Sequence, residues 1–216
     1  MTRVALLHTA PVVIPTFTDL ASKHLPGVDI QHLLDDRIVA DLRQGVDSAQ
    51  IAARLTALGE AAKAAGASAV VFTCSSISGH AAALAEHLEL PVLRIDEAMA
   101  DEAVDSGPRV SVIATLETTL GPTTALLRER ADLRGTPIEL AEVVVPDAFA
   151  ANVAGDRDRH DALVVQAITE QAKASDVVVL AQASMASAAA KVEVAVPVLS
   201  SPELGMRRVA AAVRQL

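Results

Sequence analysis

The chain has 216 residues, 18 basic against 27 acidic side chains and a formal net charge of -9, with no Trp or Tyr and three Phe. That balance lacks the basic stripe and stacking aromatics of nucleic-acid binding, and it favours a small polar ligand over a large flat one. One cysteine excludes an intramolecular disulfide, and charge, proline or glycine breaks every apolar stretch before the roughly 18 residues of a membrane span.

Met1-Thr2-Arg3 leads directly into a strand-like run without a signal-peptide layout, so a cytoplasmic location is expected, with no membrane partner. Strands are predicted at 3–8, 28–34, 69–74 and 92–95, then at 110–114, 137–144, 177–182 and 196–199, all short and aliphatic or β-branched. Ala-rich apolar periodicity places long helices at 48–65, 78–88, 120–133 and 157–174, the third opened by Gly121-Pro122. Gly66, Gly107 and Gly135 mark helix ends or turns, and Pro91 and Pro197 stand just before strands. Alternating strands and helices imply an α/β fold with parallel sheets and helices on their faces.

The chain also matches itself. Arg3-Val4-Ala5-Leu6-Leu7-His8-Thr9 lies over Arg109-Val110-Ser111-Val112-Ile113-Ala114-Thr115, and Ser68-Ala69-Val70-Val71-Phe72-Thr73-Cys74 lies over Asp176-Val177-Val178-Val179-Leu180-Ala181-Gln182. Pro91-Val92-Leu93 meets Pro197-Val198-Leu199 in nearly the same register, so four strand-like segments recur in order. Two similar lobes are expected, 1–108 and 109–216, related by a pseudo-twofold duplication, with the last helix of the first free to cross over.

In an open α/β sheet the crevice beyond the carboxyl ends of the strands is where ligands bind. Cys74 stands at such an end, before Ser75, Ser76 and a helix, where a positive dipole would favour thiolate. A pseudo-twofold duplication would set Gln182, followed by Ala183-Ser184, across one cleft from it. First-strand ends add Thr9 and Thr115, the latter followed by Thr118 and Thr119. Taken singly, these small hydroxyl residues read as helix caps; as a set they suit a carboxylate or phosphate cradle made without lysine.

Among six histidines, His8 ends the first strand, where a base, a substrate ligand or a structural hydrogen bond would all fit. His160 lies in the charged run Asp156-Arg157-Asp158-Arg159-His160-Asp161, which reads as a solvated helix start; a loop folded over the cleft would make it a second acid or base. The acidic pairs Asp35-Asp36 and Asp96-Glu97 at strand ends suit capping or cleft-edge roles, and no metal site is expected from their spacing. Neither glycine-rich phosphate pattern follows a strand, so no nucleotide cofactor is expected.

With Val70-Val71-Phe72-Thr73-Cys74-Ser75-Ser76, its counterpart Val178-Val179-Leu180-Ala181-Gln182-Ala183-Ser184 and the duplicated layout, the whole chain resembles the aspartate/glutamate/hydantoin racemase superfamily. His8-Thr9-Ala10-Pro11, Arg94-Ile95-Asp96-Glu97, Ala114-Thr115-Leu116-Glu117-Thr118-Thr119, His160-Asp161-Ala162-Leu163 and Leu199-Ser200-Ser201-Pro202 look like an unassigned branch of it.

The resemblance implies cofactor-independent chemistry next to the carboxylate or carbonyl of a small acid. Two-base racemases of the superfamily use two cysteines, and this chain carries Gln182 where the second would lie. An amide has no useful proton to exchange near neutral pH, so symmetric two-thiol racemisation is disfavoured. The expectation is a racemase, single-base isomerase or decarboxylase with Cys74 as acid/base or nucleophile, and Gln182, Thr9, Ser76, Thr115 and Thr119 holding the acid. A small-carboxylate binding or sensing protein without catalysis is the alternative. Association through an apolar helix face would give a homo-oligomer.

Overall fold

The computed structural model describes residues 2–215. In chain order they form β1 (Arg3–His8), α1 (Ile14–His24), β2 (Asp29–Leu34), α2 (Ile38–Arg43), α3 (Ser48–Ala64), β3 (Ala69–Phe72), α4 (Ala81–Leu88), β4 (Val92–Arg94) and α5 (Glu97–Ser106). The second half follows as β5 (Arg109–Ala114), α6 (Glu117–Arg134), β6 (Glu139–Val144), α7 (Pro146–Val153), α8 (Arg157–Gln171), β7 (Val177–Leu180), α9 (Ala186–Ala189), β8 (Val198–Ser200) and α10 (Ser201–Val213). No helix among the described residues is long and apolar enough to cross a membrane.

Two four-stranded sheets result, ordered β2-β1-β3-β4 and β6-β5-β7-β8, every pairing parallel. The identical order is the structural form of the sequence repeat. β1, β3, β5 and β7 are buried almost throughout, as strands covered on both faces must be, and so read as continuous apolar runs rather than alternating ones.

The chain divides into two compact units, one running to Ile95 and resuming at Pro202, the other Asp96–Ser201. The expected division at 108/109 marks the sequence repeat, whereas the units exchange their final helices: α5 belongs to the second and α10 to the first. In the first unit Ala5, Leu7, Val70 and Phe72 pack with Ile51, Leu55, Leu84 and Leu88 of α3 and α4. Val4, Leu6 and Val71 point to the other face, against Phe17 and Ala21 of α1 and Met206, Val209 and Val213 of α10.

Gly205 permits that second layer. A Cβ there would run into the Ile95 carbonyl oxygen, so α10 touches the chain just past β4 backbone to backbone. In the second unit Ile113, Val178 and Leu180 meet Val164, Ile168, Met185 and Ala188. α5 is fixed to α6 by Asp101, which is buried and accepts from Arg130 and Arg134, each at 2.5 Å.

Three sequence expectations need correction. Helix α6 starts at Glu117, not at Gly121-Pro122, so Pro122 lies inside it and Thr118 and Thr119 form its first turn. The segment after Cys74 enters as a 3-10 turn at Ser75–His80 and becomes α-helical only at Ala81. Strands β3 and β7 end at Phe72 and Leu180, which leaves Cys74 and Gln182 two residues beyond the ladders.

Candidate active site

In each sheet a central strand, β3 or β7, leads into the same local device. Cys74 lies in extended conformation (φ -132°, ψ 125°) at the head of the 3-10 turn Ser75–His80, and its carbonyl accepts from the Ile77 amide at 3.2 Å. Gln182 repeats it at φ -131°, ψ 137°, heading the 3-10 turn Ala183–Met185, with its carbonyl accepting from the Met185 amide at 3.0 Å. One backbone therefore carries a thiol in the first unit and an amide in the second.

Cys74 is a half-buried free thiol packed against the α3/α4 core layer. Ser75 beside it is buried, as is Thr9 past the end of β1, while Ser76 is half-buried. On the other face of the same sheet edge a histidine chain runs from strand to strand. The Thr73 hydroxyl donates its one hydrogen to the Leu7 carbonyl at 2.9 Å. Thr73 must then accept from Nδ1–H of His8 at 2.8 Å, which leaves Nε2 of His8 to accept from Nδ1–H of His32 at 2.8 Å. His8 is fully buried, and burial with the neighbouring His32 holds its pKa down to about 4. Both ring nitrogens of His8 are thus engaged in hydrogen bonds within its own sheet.

In the second unit the Gln182 side chain is locked. Its Oε1 accepts from the Thr115 backbone nitrogen at 2.6 Å and from the Thr115 hydroxyl at 2.8 Å. A backbone N–H can only donate, so the oxygen of the amide is identified and the NH2 group faces away from Thr115 with two donors. Among the remaining expected residues, Thr118 is exposed, Thr119 is buried with its amide donating to the Leu116 carbonyl, and Ala183 and Ser184 are half-buried.

His160 is not on a solvated helix start. It is fully buried, with Nδ1 2.9 Å from Asp161 Oδ1, and its Nε2 has no hydrogen-bond partner. Burial pushes the Asp161 carboxyl up, but hydrogen bonds from Lys191, His160 and Ser187 outweigh it and hold the group down to about 2. Arg157 ties this cluster to the turn after Gln182, donating to the Ser184 carbonyl at 3.1 Å and to the Ser187 hydroxyl at 2.8 Å.

Sequence reasoning missed His32, Asp161, Arg157, Ser187 and Lys191. A signal existed for His32, because strand alternation places it on the same face as His8 one strand away. The acidic pairs divide: Asp35 is taken by Arg54 at 2.5 and 2.8 Å and caps the Arg37 amide, and Asp96 is buried at the head of α5. Among the described residues no group of three or more His, Cys, Asp or Glu could hold a metal ion.

Solved structures share this architecture. A glutamate racemase from Bacillus anthracis aligns over 99% of this chain and 82% of its own at TM-score 0.77 and 18% identity. An allantoin racemase from Klebsiella pneumoniae covers 100% of this chain and 89% of its own at 0.68 and 20%. An arylmalonate decarboxylase covers 98% and 92% at 0.61 and 18%. At such identities the likeness is one of fold. No curated protein gives a significant match. The model of the Asp/Glu/Hydantoin racemase family matches residues 10–209, nearly the whole sequence, and the chain belongs to that family.

Proposed function

We propose that this protein is a cofactor-independent enzyme acting next to the carboxylate or carbonyl of a small acid, with Cys74 as its acid/base or nucleophile. One observation carries the reading: at the position equivalent to Cys74 the second unit presents an amide whose oxygen is held by Thr115, which leaves its NH2 group facing away from Thr115. Such a group donates hydrogen bonds to a carboxylate or an enediolate oxygen but exchanges no proton. The chemistry is then that of a single-thiol isomerase or decarboxylase rather than a two-thiol racemase. In this reading Thr9, Ser75 and Ser76, at the same strand ends as Cys74, supply further polar groups to the acid.

Solvent-deuterium incorporation at the α-carbon tests this, across a panel of dicarboxylates, hydroxy acids, amino acids, hydantoins and malonates. Wild-type exchange or decarboxylation that disappears in Cys74→Ala is the expected result; full turnover by Cys74→Ala would sink it. The same amide supports a second reading, a non-catalytic protein that binds or senses small carboxylates. It predicts saturable binding of an acid without exchange or turnover.

A further inference from the structure

The two units build the same strand ends and fill them differently. Past the last ladder pair of each sheet the register runs on, the Thr73 amide donating to the Leu7 carbonyl at 3.1 Å and the Ala181 amide to the Ile113 carbonyl at 2.9 Å. One step further that register sets Thr9 beside Cys74 in the first unit and Thr115 beside Gln182 in the second. Both threonines are buried, Thr9 at 5% exposure and Thr115 at 2%. Thr115 places its amide and its hydroxyl on Gln182 Oε1, at 2.6 and 2.8 Å. No hydrogen bond among the described residues uses the amide or the hydroxyl of Thr9.

Shielded donors left without an acceptor cost free energy unless a ligand supplies one. The second unit shows the form such an acceptor takes. Cysteine and glutamine side chains share Cβ and then one further atom, Sγ or Cγ, after which glutamine continues to a planar carbon, Cδ, that bears the accepted oxygen. Set against its counterpart, the first unit therefore lacks a trigonal carbon bonded to the sulfur with a carbonyl oxygen on it. An S-acyl cysteine, Cβ–Sγ–C(=O)–R, has that connectivity atom for atom.

We infer that Cys74 is S-acylated by activated acyl derivatives of small acids, esters or thioesters R–C(=O)–X, and that the Thr9 amide and hydroxyl hold the acyl oxygen as Thr115 holds Oε1 of Gln182. This activity goes beyond the function proposed above and rests on it only in taking Cys74 as the reactive group. The thiolate forms the S–C bond, and the carbonyl π pair moves to the oxygen facing Thr9. Return of that pair breaks the C–X bond, and X departs with the bonding electrons and the proton that the thiol gave up, as HX. Water then adds to the same carbon, the C–S bond breaks, and R–COOH leaves with the Cys74 thiol restored.

The test treats the full chain with p-nitrophenyl acetate carrying carbon-13 at its carbonyl. Mass spectrometry is expected to find one acetyl group on wild-type protein, at Cys74, and none on Cys74→Ala. Thr9→Val keeps the backbone N–H and the shape but loses the hydroxyl, so release of acetate should slow by about 100-fold and the carbonyl resonance of the acetyl-enzyme should move. Thr9→Ser should restore both, and Thr9→Ala serves should the valine variant not fold. A Cys74 that is never acetylated overturns the inference, as does a folded Thr9 variant lacking the hydroxyl that sheds acetate at the wild-type rate with an unmoved resonance. Exchange at the α-carbon, measured on the same proteins, keeps the two readings apart. Exchange without acetylation overturns this inference alone, whereas Thr9-dependent acetyl turnover without exchange supports it and counts against the reaction proposed above.

Discussion

Gln182 accepts twice from Thr115 through one oxygen, from the backbone nitrogen and from the hydroxyl, and so joins the ends of β5 and β7 beyond their last ladder bond. Removing the amide strands a Thr115 N–H that is almost fully shielded from water. Gln182→Leu should therefore cost about 2 kcal/mol in urea denaturation. Thr115→Val removes only the weaker of the two bonds and should cost about 1 kcal/mol. A double-mutant cycle should give a clear coupling energy; strict additivity would show the pair to be energetically idle.

Acid should destabilise the protein in two windows. His8 is held down to about 4 from 6.5, mainly by burial and then by His32, so between these values the unfolded chain binds more protons. Stability therefore rises with pH across that interval, and as pH falls from 6.5 to 4 about 3 kcal/mol is lost. In His8→Gln this slope should shrink. Asp161 and Glu203, both held down to about 2, act lower: their stabilisation is present above pH 4 or so and disappears as pH falls toward 2. Chemical denaturation at stepped pH checks both windows.

Gly205→Ala should destabilise by roughly 3 kcal/mol or more, despite alanine's better helix propensity, because the new methyl meets a backbone oxygen that has no rotamer to escape into. Equal or higher thermal stability of that variant would contradict the close approach of α10 to Ile95.

Asp101→Asn should lower stability by about 2 kcal/mol, since two arginines lose the one buried carboxylate they share. Arg134→Met should cost less than Arg130→Met, its side chain being the more exposed of the two. Melting temperatures of the three variants give the order.

Much of this was legible in the sequence because buried parallel strands are apolar on both faces and the repeat displays the same runs twice. Cys74 and Gln182 could be paired by register alone, and their matching backbone angles follow from that. The start of α6 was hidden by Pro122, since proline favours first turns. Here it lies deeper, and the Thr118 carbonyl that it leaves without an intrahelical donor belongs to an exposed residue. His160 was misread for a different reason. Charged neighbours on both sides suggested a solvated turn, but a helix assigns burial by angle, and Asp158 and Arg159 face water while His160 faces inward. The pairing of Asp161 with Lys191 depends on side chains from separate elements that no local pattern connects.

The placement of α10 bears on how the protein is made. Val4, Leu6, Phe17 and Val71 are all synthesised before the second unit, yet Met206, Val209 and Val213, which help cover them, are made only after it. A ribosome must therefore have made α10 before the first-made sheet can close its second face. Until then that sheet has a water-exposed apolar side. The second unit is made in one uninterrupted stretch and can complete its core while the first still waits.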